Sequence, residues 1–521
     1  MSDIKRKVGT FTDEELKTLE RVYIEDGTGK KTVAGLGSGI VCIVGEFLKG
    51  TPNVPVLCTT EDDISLNFGG WSPYSNPGFD NDFVTTGSID PSLTLATSTE
   101  GIGYFRVQNP KYAQLYLMNV DQSVATCTLT VSGSGALTVP AGVCVSDADD
   151  SDIFALCDDL VIVSTDYLSG SAVFEDVRLR RVKGTDLAPT LTKCIDTLDL
   201  LSALRLPSNQ LTITPSALST VTALTQSFIE ASYSDAIDEL STEDENLKEI
   251  SITVACRHSV TIANLLKADA VSAQANNAIG RIAVISPIVG TLKAAAWDDE
   301  DDTVCVGNST ISRSDAVVFA WPGHKEYFAD LGGDLEVTSD FAIASEISQT
   351  EPEASIGRKT VRLTYVKGIE TANRALKTPD YEYMKSQGIC GIRMNKAKGP
   401  QIQSACTSVD PLLDMTLVNI ARRRMSTFIS GSLANFADNF KSEKYNETNY
   451  SNLCTGVSTF LQNLLDGQRI AGFATDYSTG NTFARTSQGI VTLIIEVQTL
   501  APMDYIVFKT SIGETVEITV S

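Results

Sequence analysis

Residues 250–286 read ISITVACRHSVTIANLLKADAVSAQANNAIGRIAVIS. Two apolar, β-branched runs, Ile250–Ala255 and Arg281–Ser286, flank a segment near 259–278 whose apolar side chains recur at helical spacing. Working outward, residues around 217–240 read as a further helix and Ala316–Trp321 as a further strand. This alternation predicts α/β layering. Before it, from about 100 to 200, the chain is dominated by Val, Thr, Leu, Ser and Gly, and a stretch such as Cys127–Val139 reads as a β-rich module with hairpins. After it, the last 140 or so residues read as a compact α+β unit. One helix carries Leu413, Leu417, Ile420, Met425, Phe428 and Ile429. A second carries Val457, Phe460, Leu461, Leu464 and Leu465 and stops at Gly467. Strands follow at Ile490–Val497 and Tyr505–Lys509, and the terminal run Thr515–Val520 alternates strictly, with Val516, Ile518 and Val520 on one face.

The first residues add a helix start over 11–21, with Thr12 as cap and Glu15 completing the capping box. A strand-like Val22-Tyr23-Ile24-Glu25 comes next, then β-rich runs with Gly/Pro punctuation up to Gly70. The fold class expected is therefore α+β and multidomain, which suits 521 residues at roughly 100–200 per domain.

Charge and composition narrow the function. There are 41 Lys+Arg against 65 Asp+Glu, a formal charge of −24, which argues against a nucleic-acid surface over most of the molecule. Resolved along the chain, residues 381–521 hold 12 basic and 12 acidic groups, so the acidity lies wholly before them, and 391–430 alone carries a net +4. The start lacks a secretory h-region and no apolar run approaches the ~18 residues a membrane span needs. The expectation is synthesis in the cytoplasm without membrane insertion.

Motifs for chemistry are mostly wanting. Gly35-Leu-Gly37-Ser-Gly39 is followed by the β-branched run Ile40–Val44, where a dinucleotide loop would open a helix. Gly27-Thr-Gly29-Lys30 fails the P-loop pattern because Lys31 stands where Ser or Thr is needed. The only histidines are His258 and His324; Cys256 and His258 could share a strand face, with no wider motif around them. Acidic loops at 147–152, 243–245 and 298–302 lack the EF-hand spacing and read as solvated. No enzyme, cofactor or metal is expected. Eleven cysteines, Cys42, Cys58, Cys127, Cys144, Cys157, Cys194, Cys256, Cys305, Cys390, Cys406 and Cys454, contain no CxxC pair. They read as buried thiols, with inter-subunit disulfides of unknown pairing as the alternative.

A set of short motifs, taken in order, is similar to the contractile tail sheath proteins of phages and related injection machines. They are Val22–Glu25, Val33-Ala-Gly35, Ile43-Val44-Gly45-Glu46, Gly50–Val56 and Phe68-Gly69-Gly70, then Val317–Pro322, Ser339–Ala344, Gly388–Met394, Lys398-Gly399-Pro400 and Thr407-Ser408. The Arg-rich Ile420–Arg424, Leu465-Asp-Gly467 and Pro502–Phe508 complete the series. The resemblance covers roughly 1–70 and 245–521.

The resemblance implies a C-terminal α/β sheath core domain with inserted α/β and β-rich outer domains. Its expected segments are an N-terminal arm at 1–30, a first sheath part at 31–100, an outward-facing insertion at 101–210, a middle domain at 211–380, a tube-facing domain at 381–510 and an arm strand at 511–521. It further implies a virion tail protein assembled in the host cytoplasm. Its partners would be copies of itself in stacked six-fold rings, a tail tube protein, and baseplate and terminator proteins. Val22, Tyr23, Ile24, Val516, Ile518 and Val520 are the expected strand-exchange residues between subunits. Together with the basic stretch, the resemblance makes Arg422, Arg423, Arg424, Lys396 and Lys398 candidates for an acidic tube surface. A headless injection particle, or a self-assembling surface or adhesin-type protein, is the alternative.

Overall fold

The structure is a computed structural model. It describes residues 4–8, 22–26, 39–47, 50–60, 63, 65–69, 115–133, 135–166, 170–195, 212–240, 249–277, 280–287, 303–306, 309–328, 333–361, 370–371, 374–375, 378–395, 398–410, 418–441, 444–488 and 490–500. The chain divides into two units, one of residues 33–352 and 356–439, the other of 1–32, 353–355 and 440–521.

In the larger unit a seven-stranded sheet runs in the order Ile389–Cys390, Val317–Ala320, Ile282–Ile285, Ile252–Ala255, Val41–Gly45, Leu115–Asn119, Pro55–Cys58. Every neighbouring pair is parallel except the last, in which Pro55–Cys58 runs antiparallel to Leu115–Asn119. A parallel sheet is covered on both faces, so its strands read as unbroken apolar runs, and Ile252–Ala255, Ile282–Ile285 and Val317–Ala320 are buried throughout. Alternate residues serve opposite faces. Ile43, Leu117, Val254, Val284 and Val318 pack with Phe341, Ile343 and Ile347. Cys42, Val44, Met118, Ala283 and Phe319 pack with Tyr233, Ile237, Ile262 and Leu266.

Among the described residues of this unit are five helices: α1 (Gln226–Leu240), α2 (Val260–Asn277), α3 (Asp340–Gln349), α4 (Thr378–Ser386) and α5 (Ile420–Asp438). The expected α/β alternation is observed, with one correction. Residues 217–225 are not helical, because their backbone is engaged elsewhere: Ser219 N–H donates to Thr126 O (2.8 Å) and Thr222 N–H to Val124 O (2.8 Å). Thr225 Oγ1 then accepts from Phe228 N–H at 3.2 Å, which starts α1.

The same unit holds a six-stranded antiparallel sheet in the order Lys193–Cys194, Cys144–Ser146, Ile153–Leu156, Ser171–Lys183, Ala125–Ser132, Thr212–Ser216. Its long central strand shifts register between Phe174 and Val177, where Asp176 takes φ +55° and the extra residues bend the strand. Leu129, Val131, Val145, Phe154, Leu156 and Leu179 form its core. The fold is thus mixed α+β and multidomain, as expected. His324 opens a strand, His324–Phe328.

In the smaller unit, α6 (Glu447–Asp466) starts at Asn446, whose side chain accepts from Asn449 N–H at 2.7 Å. It buries Val457, Phe460, Leu461 and Leu464, one stripe of the helix. Gly467 follows, yet its φ is −76°; the left-handed turn is taken by Gln468 at φ +55°. Strands Ile470–Asp476 and Ile494–Thr499 then pair antiparallel. The helix expected over 11–21, the strands at 505–509 and 515–520, Lys396, Leu413 and Leu417 lie outside the described residues.

Candidate interaction surfaces

The Arg-rich segment forms the first turn of α5. Asn419 caps it, its Oδ1 accepting from Ala421 N–H at 2.9 Å, a cap of the kind worth roughly 1 kcal/mol. Consecutive helix residues are about 100° apart, so the three arginines cannot share a direction. Arg423 (3% exposed) pairs with Asp315 at 3.1 Å. Arg424 (4% exposed) donates from Nη1 to Glu351 O at 3.3 Å. Arg422 is half-buried, and its Nε has no hydrogen-bond partner. Two of the expected tube-facing side chains are therefore held inside the subunit. Burial lowers the pKa of Arg423, partly offset by Asp315.

The turn between Ile392–Asn395 and Gly399–Ile402 carries Lys398, which is exposed; Gly399 takes φ +77° there. Lys398 thus sits on a different element from the arginines.

Val22, Tyr23 and Ile24 lie in strand Val22–Asp26, which pairs in parallel with Ile4–Val8 of the same chain, Ile4 opposite Val22. Among the described residues, the Ile470–Asp476 and Ile494–Thr499 strands pair only with each other, leaving each one edge unpaired. Unpaired edges accept further strands. Beside them Phe483 is 88% exposed, and Ile490, Val491, Ile494 and Leu500 are also exposed. The connection is pinned by Asn481, whose Nδ2 donates to Tyr477 O and Thr492 O and whose Oδ1 accepts from Thr492 N–H. This apolar surface has no signal in the sequence, because exposure on a two-stranded sheet leaves no distinct pattern.

The remaining chemistry-bearing residues are interior. His258 Nε2 lies 2.7 Å from Asp340 Oδ2, both buried, and His258 Nδ1 has no partner; Asp340 Oδ1 also accepts from Phe341 N–H at 3.1 Å. Among the described residues ten cysteines form no disulfide, eight of them buried and Cys194 and Cys454 half-buried. Burial pushes the thiols of Cys42, Cys58, Cys127 and Cys157 up to about 12. No cluster of metal-ligating side chains occurs among the described residues, and no helix there is long and apolar enough to cross a membrane.

The fold is similar to that of solved chains from contractile sheath assemblies. The structure is similar to a chain of the baseplate of the anti-feeding prophage, with 13% identity and a TM-score of 0.52 over 95% of this chain and 99% of that one. The helical sheath of the same particle in its contracted state gives 13% identity and 0.51 over the same shares. The contracted PVC sheath complex of an extracellular contractile injection system gives 11% and 0.52 over 95% and 98%. No family model and no curated protein matches the sequence.

Proposed function

We propose that this chain is the sheath subunit of a contractile tail or injection particle. Copies polymerise as stacked six-fold rings around a tube in a metastable extended helix. A baseplate trigger then switches them to a shorter, wider helix that drives the tube through an envelope. The observation that carries this reading is the span of the likeness: 95% of this chain against 98–99% of the solved sheath-system chains. It extends over the whole subunit, not one recurrent domain.

Two further observations support it. The ordered motifs of the sequence fall in regular elements of the fold, among them Val317–Ala320, α3 and the start of α5. The work of contraction needs only two packings of rigid subunits that differ in contact energy, in keeping with a sequence that lacks a P-loop.

In this reading the segments 1–30 and 511–521 are arms, and Val22, Tyr23, Ile24, Val516, Ile518 and Val520 add strands to the free edges beside Ile470–Asp476 and Ile494–Thr499 of neighbouring copies. Residues 101–210 face outward. Arg422, with Lys398 and Lys396, faces an acidic tube, while Arg423 and Arg424 hold α5 in place. Cys194 and Cys454 are the half-buried thiols best placed for a disulfide between copies. A phage tail and a headless injection particle share this mechanism; the likeness to the anti-feeding prophage and PVC assemblies favours the second.

Electron microscopy of the purified protein tests the proposal. Helical tubes of six-fold rings are expected, and monodisperse monomers even with tube protein present would overturn it.

A further inference from the structure

In the larger unit the chain passes from the parallel sheet to the antiparallel one through residues 120–124, and a pocket lies at that passage, walled by Phe228 and Ile229 of α1. Four arginines surround it or adjoin it, and three have acids of their own. Arg257 Nε and Nη2 each donate to Glu46 at 2.7 Å. Arg181 Nη1 lies 2.7 Å from Asp152. Arg178 grips Asp158 at 2.9 and 2.7 Å and reaches Asp121 at 3.5 Å.

Arg180 is the exception. It lines the pocket, is only 8% exposed, and among the described residues makes no hydrogen bond or ion pair, its Nε being buried without a partner. The carboxylate that acts on it is Glu46, already engaged at both oxygens by Arg257. A guanidinium stays charged in proteins, and a buried charge without a counter-charge is strongly unfavourable. The cavity is about 30 Å³; one water needs roughly 10–15 Å³, so a group the size of a carboxylate fits.

We propose that this pocket binds a small oxyanion on the Arg180 guanidinium, either a carboxylate from another chain or a free inorganic anion such as sulfate or phosphate. The planar fork of Arg180 supplies two parallel N–H donors, which suits either. Placed where the two sheets join, the bound anion ties the antiparallel sheet to the parallel one.

Thermal unfolding of the full chain, followed by circular dichroism at matched ionic strength, tests this with chloride as reference and sulfate, phosphate and acetate as probes. At saturation at least one oxyanion should raise the wild-type midpoint by about 2–5 °C. Sulfate and phosphate also stabilise folded proteins generally by exclusion from their surface, so the reading is the difference from Arg180→Met. That variant should lose the rise, and in chloride it should unfold no earlier than wild type. A larger Arg180-dependent rise with acetate identifies a carboxylate of another chain as the occupant; a larger one with sulfate or phosphate identifies a free anion. No rise in the wild type, or a rise retained in full by Arg180→Met, overturns the proposal. If Arg180→Met does not fold, Arg180→Lys takes its place, keeping the charge without the fork; an undiminished rise there overturns it equally.

Discussion

Arg423 Nη1 lies 3.1 Å from Asp315 Oδ2, the arginine side chain 3% exposed and the aspartate 27%. This pair joins the first turn of α5 to the loop before strand Val317–Ala320, and so fixes a helix on a sheet. Losing one partner of a buried pair costs far more than the pair contributes. Arg423→Met is expected to lower unfolding stability by about 2–4 kcal/mol, measured in urea. Asp315→Asn leaves the guanidinium, 3% exposed, without a counter-charge and should cost at least as much.

The proposed tube contact of Arg422 can be tested apart from folding. Arg422→Glu, at a half-buried position, should lower the unfolding free energy measured in urea by no more than about 1 kcal/mol, while removing polymerisation on tubes. Arg423→Glu should fail earlier, as unfolded or aggregated protein. Assembly undisturbed by Arg422→Glu, seen by electron microscopy, would remove this residue from the tube contact.

Gly280 stands just before strand Ile282–Ile285, where a Cβ would overlap the Cβ and Cγ2 of Thr427 on α5. Gly280→Ala should therefore destabilise by about 1–3 kcal/mol through overpacking. Thr427→Ala, which vacates the space, should recover part of that loss in the double variant. Additive effects in the cycle would show that the two residues do not meet.

The buried thiols predict an alkaline limit. Unfolded cysteines lose their protons from about pH 9, whereas folded Cys42, Cys58, Cys127 and Cys157 hold theirs to about 12. Their contribution to stability is complete below pH 9 and falls as pH rises toward 12. For fully buried Cys42 the slope is about 1.4 kcal/mol per pH unit. Cys42→Ala should flatten the measured dependence between pH 9 and 11 by that amount, whatever it costs at pH 7.

Alkylation of the native protein gives a related check. Cys194 and Cys454 should react with iodoacetamide ahead of the eight buried thiols. A buried thiol reacting equally fast would show that its surroundings open readily.

Much of the α/β layer was legible in the sequence because each element carries its own signal. Ile252–Ala255, Ile282–Ile285 and Val317–Ala320 are unbroken apolar runs, and α6 shows one apolar stripe. The start of α1 was not legible, since residues 217–225 spend their backbone donors on Thr126 and Val124, some ninety residues away. The helix ends at Gly467, as its sequence implies, although Gln468 and not the glycine takes the left-handed turn. Among the candidate site residues, composition identified the basic stretch and could not orient it. Helical geometry placed the three arginines over about 200°, but only the surroundings of α5 decide which of them are enclosed.

The sequence by itself determined the α+β class, the apolar strands and most helix positions, because local periodicity records which side of an element is buried. It also determined where the acidity lies. The tertiary structure alone decided that Val41–Gly45 is inserted between Ile252–Ala255 and Leu115–Asn119, that Arg423 and Arg424 turn inward, and that Arg180 is buried without a carboxylate of its own. Each depends on which segments, distant in the chain, come to share a dry interior. There a charge must find a partner, and no local pattern in the sequence records whether it does.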